Sequence, residues 1–99
     1  MSRLEEWDEF SALVREHIEE YVLPQWGDAP NDPVSGWTAE KCMQEVQKYA
    51  HRFGRSVRGA EEELRDLLKI AHYAAMIHSK RREQEDGDAS RVVVDDTRP

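Results

Sequence analysis

From about Ala60 to Arg82 the chain reads as one helix that is apolar on more than one side. Leu64, Leu67, Leu68, Ile70, Ala71, Tyr73, Ala74, Ala75, Met76 and Ile77 all fall within it. A helix with so broad an apolar surface must be covered from at least two directions. Its ends are marked by charge, with Glu61, Glu62 and Glu63 at the positive end of the dipole and Lys80, Arg81 and Arg82 at the negative end. The requirement for cover sets the problem that the rest of the chain has to solve.

Two other segments supply that cover. Leu4, Trp7, Phe10, Val14, Ile18 and Tyr21 recur at spacings of three and four, which predicts a first helix from about Ser2 to Val22. Pro24 is expected to close it, because the ring removes a donor and restricts the residue before it. Thr38 suits the N-cap of a second helix, whose stripe is Cys42, Val46, Tyr49 and Phe53 and whose stop is Gly54. The short connection Arg55–Gly59 then predicts that the second and third helices pack antiparallel. Between the first two helices, residues 23–37 hold Pro24, Gly27, Pro30, Pro33 and Gly36 and read as a loop. Trp26 and Trp37 in that loop either pin it to the core or stack on a ligand.

The fold expected is therefore all-α, a small three-helix domain over residues 1–82 with a Pro/Trp-rich loop. A flexible, disordered acidic tail is expected over 83–99, its Val92–Val94 run being too short to stand alone as a strand. At 99 residues the chain is near the lower limit for a self-sufficient core. Combined with the broad apolar surface of the third helix, this predicts a homo-oligomer.

Charge narrows the function. A formal net charge of -7 argues against broad binding to nucleic acid or to an anionic membrane, which needs cationic excess. The acidity either serves solubility or mimics nucleic-acid charge toward a basic partner such as a host protein. The single cysteine, Cys42, falls at an apolar helical position and reads as a buried thiol. No stretch approaches the ~18 apolar residues of a membrane span, and the N-terminus lacks the apolar core of a signal peptide. A cytoplasmic location is the expectation, that of a host cell if a phage encodes the chain.

Within this acidic chain, cations gather on two helices. Lys48, Arg52 and Arg55 follow helical spacing beside the apolar stripe of the second helix, and Lys69 and His72 come from the third. An antiparallel pair brings them together, where Arg offers bidentate contacts to phosphate and Lys a point charge. Tyr49, Tyr73 or a loop tryptophan would stack on a base. Glu63 and Asp66 form the candidate metal site, for Mg2+ in pyrophosphate hydrolysis, joined by Glu62 and faced by Glu16, Glu19 and Glu20. His17, His51, His72 and His78 lack tight ligand spacing for zinc, and neither a Gly-rich phosphate loop nor a nucleophile elbow is present.

The stretch Lys48-Tyr49-x-x-Arg52-Phe53-Gly54, followed by Arg65-Asp66-Leu67-Leu68-Lys69-Ile70-Ala71-His72-Tyr73-Ala74, resembles a family of small bacteriophage proteins. Their shared segment, Lys-Tyr-x-x-Arg-x-Gly-Lys and then Asp-Leu-x-Lys-Ala-x-x-Tyr, also occurs in the phage T7-type nucleotide kinase. The resemblance covers residues 48–74 and carries over to Lys48, Tyr49, Arg52, Gly54, Arg55, Asp66, Lys69 and Tyr73. It implies a protein that binds a nucleotide or another phosphate-bearing small molecule, in phage nucleotide metabolism or nucleotide sequestration. A fainter similarity links the third helix to all-α nucleotide pyrophosphohydrolases, with Lys69 where those proteins would carry a metal-binding acid. The alternative is a non-enzymatic acidic protein that inhibits a host factor.

Overall fold

The computed structural model describes residues 1–55 and 57–87. The fold is all-α, and no strand occurs among the described residues. Helix α1 (Arg3–His17) passes into a π turn (Ile18–Val22) and on into a short α2 (Leu23–Trp26). A loop with a 3-10 turn at Pro33–Gly36 leads to α3 (Ala39–Arg52), and α4 (Ala60–Gly87) is the last of the described elements.

Local chemistry accounts for most of these boundaries. Ser2 and Glu5 form a reciprocal capping box, the Ser2 amide donating to Glu5 Oε1 at 2.9 Å and the Glu5 amide to Ser2 Oγ at 3.1 Å. Thr38 caps α3 as expected, its Oγ1 accepting from the Lys41 amide at 3.0 Å. Thr38→Ala should therefore cost about 1 kcal/mol of stability in a urea titration, and an unchanged midpoint would remove the cap from the account. Gly54, with φ +75°, turns the chain out of α3 where a side chain would be strained.

Two boundaries differ from expectation. Pro24 does not end the first helical run, which continues to Trp26. The π turn makes this feasible: the Leu23 amide reaches back five residues to the Ile18 carbonyl, so Pro24 falls in the first turn of a fresh α segment. The third helix runs to Gly87 rather than stopping near Arg82, so residues 83–87, expected in the tail, are helical. The remainder of the expected tail, residues 88–99, lies outside the described residues, as does Ser56 in the connection.

Helices α3 and α4 form the antiparallel pair that the short connection required. Its register is pinned near the turn by Arg52 to Asp66 and by the Gly54 amide to Glu63, and at the far end by Arg81 to Glu40. The end of α1 lies over α4, where His17 is buried and Arg65 stands 5.9 Å from the centre of the Tyr21 ring.

The core is thin. Among the described residues the buried side chains are Ala39, Cys42, His17 and Asp66, and Cys42 is the largest that is fully buried. The stripes expected to pack are only partly covered. Leu4 and Trp7 at the start of α1 are 75% and 58% exposed, and Phe53 at the end of α3 is 56% exposed. The outer ends of these helices overhang the region where the three elements meet.

Candidate ligand-binding site

The meeting of the π turn, α2 and the loop with the α3–α4 pair leaves a cavity of about 650 Å³. That is within the usual range for small-molecule sites. From the first helical run it is lined by His17, Ile18, Tyr21 and Trp26; from the loop by Asp28, Asp32, Val34 and Trp37. Helix α3 contributes Glu45, Lys48 and Tyr49, and α4 contributes Lys69, His72, Tyr73, Met76 and Lys80.

Tyr49 is the centre of the charged wall. Lys48 Nζ is 4.8 Å and Lys69 Nζ 5.1 Å from its ring centroid, with the Arg52 guanidinium carbon also at 5.1 Å. These are cation–π distances, and they hold two ammonium groups from different helices around one ring. Lys48 pairs with Glu45 at 3.0 Å, and that hydrogen bond raises its pKa above the ordinary lysine value. Lys69 has a looser contact, 3.8 Å to Asp66 Oδ1, which leaves donors free to turn toward the cavity. Tyr73 stacks on Tyr49 with centroids 6.3 Å apart. Burial, with Tyr49 and Glu45 nearby, pushes the Tyr73 phenol up to about 12, so it remains a hydrogen-bond donor at neutral pH.

Two imidazoles line the same space. His17 stacks on Tyr21 at 5.8 Å. Its pKa is lowered first by burial and then by the positive charges of Lys69 and Arg65. His72 is lowered by burial and by His17, against an opposing pull from Asp32. Both are therefore neutral at pH 7. The loop wall is held by Lys80, whose Nζ donates to the carbonyls of Val34 at 3.0 Å and Ser35 at 3.2 Å. Lys41 caps the Trp37 ring at 4.5 Å. Trp37 is half-buried and Trp26 largely exposed, and each lines the cavity, so the loop tryptophans serve as wall as well as pin.

Of the residues that the sequence singled out, Lys48, Tyr49, Lys69, His72 and Tyr73 share this cavity. Arg52 and Arg55 are not part of its lining. Arg52 is engaged with Asp66, through Nη2 at 2.8 Å and 2.9 Å and Nε at 3.2 Å. Arg55 lies beyond the end of α3, its Nη1 3.1 Å from the His51 ring nitrogens. The two proposed metal ligands have other partners: Asp66 takes the Arg52 guanidinium, and Glu63 accepts from the Gly54 amide at 3.2 Å. Among the described residues no group of three His, Cys, Asp or Glu side chains is placed to hold a metal ion.

His17, Tyr21, Glu45, Asp32 and Lys80 are lining residues that the sequence reading did not select. The spacing of His17 and Tyr21, one turn apart, places them on one face, yet nothing in the sequence marks that face as cavity rather than core. Cys42 is fully buried as expected, and burial raises its pKa, the opposite of an activated nucleophile.

No family model matches the chain, and neither a curated protein nor a solved structure is significantly similar to it.

Proposed function

We propose that this chain binds a nucleotide, or another small molecule joining an aromatic ring to a phosphate, in the cavity between the loop and the α3–α4 pair. The observation that carries the reading is the convergence of Lys48 and Lys69 on the Tyr49 ring at one wall of an aromatic-lined cavity. Ammonium groups held at a partly buried wall attract phosphate more strongly than the same groups on an open surface. The ring of the ligand would lie toward Tyr21, Trp26 and Trp37, with Asp28 and Asp32 available to accept hydrogen bonds from amino groups of a base. The role that fits is nucleotide handling or sequestration, in keeping with the resemblance of residues 48–74 to the phage proteins.

A thermal-shift series with nucleoside mono-, di- and triphosphates, with and without magnesium, tests this. A ligand at 100 times its dissociation constant stabilises the fold by about 2.7 kcal/mol, or roughly 10–20 °C in a domain of this size. Lys48→Ala combined with Lys69→Ala should remove the shift while the unliganded protein melts within a few degrees of the parent. Absence of a shift with every nucleotide would refute the reading and favour a protein partner for the acidic surface.

A further inference from the structure

The cavity is longer than a mononucleotide needs. On α4 its lining runs from Lys69 through His72, Tyr73, Met76 and Lys80 to Glu83, a stripe at helical spacing. At 1.5 Å of rise per residue, Lys69 and Lys80 leave the helix about 16 Å apart. The antiparallel register keeps the two ends separate, since Arg52 meets Asp66 near one and Glu40 meets Arg81 near the other. At the first end Lys48 and Lys69 stand 4.8 Å and 5.1 Å from the Tyr49 ring centroid. At the second, Lys80 holds the loop at the carbonyls of Val34 and Ser35, and Lys41 caps Trp37. Between them α4 places neither lysine nor arginine, and the lining is His72, Tyr73 and Met76.

We propose, building on the nucleotide reading above, that the cavity takes a 5′-phosphorylated dinucleotide in preference to a mononucleotide. The terminal phosphate sits at Lys48 and Lys69, the first base lies along His72, Tyr73 and Met76, and the second base reaches Trp26 and Trp37. A mononucleotide anchored at Lys69 has a single ring, and it leaves the tryptophans of the far end without a partner. Stacking there suits any base, because every base has a π-face. The phosphate joining the two nucleosides comes within reach of Lys80, which spends two of its three donors on the loop carbonyls and keeps one. Two of the carboxylates in the lining are already engaged, Glu45 by Lys48 and Asp32 by the Ser35 hydroxyl.

Isothermal titration calorimetry of the full chain with AMP, ADP, ATP and the 5′-phosphorylated adenine dinucleotide tests the proposal. The dinucleotide should bind about tenfold or more tighter than AMP. ADP and ATP add charge without a second ring and should not match it. Trp26→Ala and Trp37→Ala should each weaken the dinucleotide by a larger factor than AMP. Trp26 is 53% exposed, so its removal leaves the core intact, and the melting temperature checks that both variants are folded. AMP binding as tightly as the dinucleotide would overturn the proposal and leave the nucleotide reading of the cavity standing. So would ADP or ATP equalling the dinucleotide, or tryptophan variants that weaken both lengths alike. If no nucleotide of either length binds, the nucleotide reading itself fails and this proposal with it.

Discussion

Arg52→Ala should lower the unfolding free energy by about 2–3 kcal/mol, just under the roughly 3–5 kcal/mol that breaking a fully buried ion pair costs. The carboxylate of Asp66 is buried, and Arg52 grips both of its oxygens across the α3–α4 interface. Removing the guanidinium leaves that charge with Lys69 at 3.8 Å as its remaining ion-pair contact. The full penalty is moderated because the Arg52 side chain is about a third exposed, so water can reach part of the vacated space. In a domain this small the loss corresponds to roughly 10–20 °C in melting temperature. Replacing the pair together, as Arg52→Met/Asp66→Leu, should recover much of the stability, since an apolar pair leaves no unpaired charge. A urea titration of the three proteins decides it. If Arg52→Ala stays within about 0.5 kcal/mol of the parent, the pair is not holding the hairpin.

This expectation changes how Arg52 is read. From spacing alone it is a phosphate ligand, and loss of nucleotide binding in Arg52→Glu would seem to prove it. With the guanidinium committed to Asp66, such a loss follows from a disturbed α3–α4 interface. Lys48 and Lys69 are the better probes of the site because both line the cavity and neither makes the bidentate pair.

The second large effect is a loss of stability in mild acid. His17 and His72 have pKa values held below the ordinary 6.5, principally by burial. The unfolded chain therefore takes up protons at a pH where the folded chain does not. Stability is at its full value above about pH 6.5 and falls as the pH drops from there through the lowered folded values. Each imidazole can contribute a slope of at most about 1.4 kcal/mol per pH unit, or about 2.7 for the two. The carboxylates with lowered pKa values, Glu5, Asp32 and Glu40, titrate in a lower window, below their ordinary values of 4.5, 3.8 and 4.5. Denaturant midpoints between pH 7.5 and 5 thus isolate the histidines, and His17→Gln/His72→Gln should flatten the profile. An unchanged slope in that double variant would assign the acid sensitivity elsewhere. A bound phosphate should oppose the effect, because protonated imidazoles in the cavity wall then face an anion.

Much of the architecture was legible because it depends on neighbours in sequence. Helical periodicity, the Thr38 cap and the Gly54 stop are set within one or two turns, and each appears where the residues require it. The antiparallel pairing of α3 and α4 follows from a connection too short for any other route. The passage of the chain through Pro24 was not legible, since a proline after a helical stripe normally ends it. Here the π turn shifts the hydrogen-bond register before the ring is reached. The end of α4 was also misplaced: Glu83–Glu85 read as tail, yet the helix carries them.

The site divides along the same line. The sequence by itself determined that Lys48, Tyr49, Lys69, His72 and Tyr73 come together, because helical spacing and an antiparallel register are enough to align them. It also determined which side chains are chemically suited to phosphate. Only the tertiary structure decided which of those cations are available. Spacing places a charge on a face without saying whether a partner waits there, and Asp66, fourteen residues from Arg52, takes that guanidinium across the interface. The cavity itself is likewise a tertiary property. His17, Tyr21, the loop and Lys80 are brought to one wall by the way α1 and α2 lie over the hairpin, a geometry set by packing between distant segments rather than by local sequence.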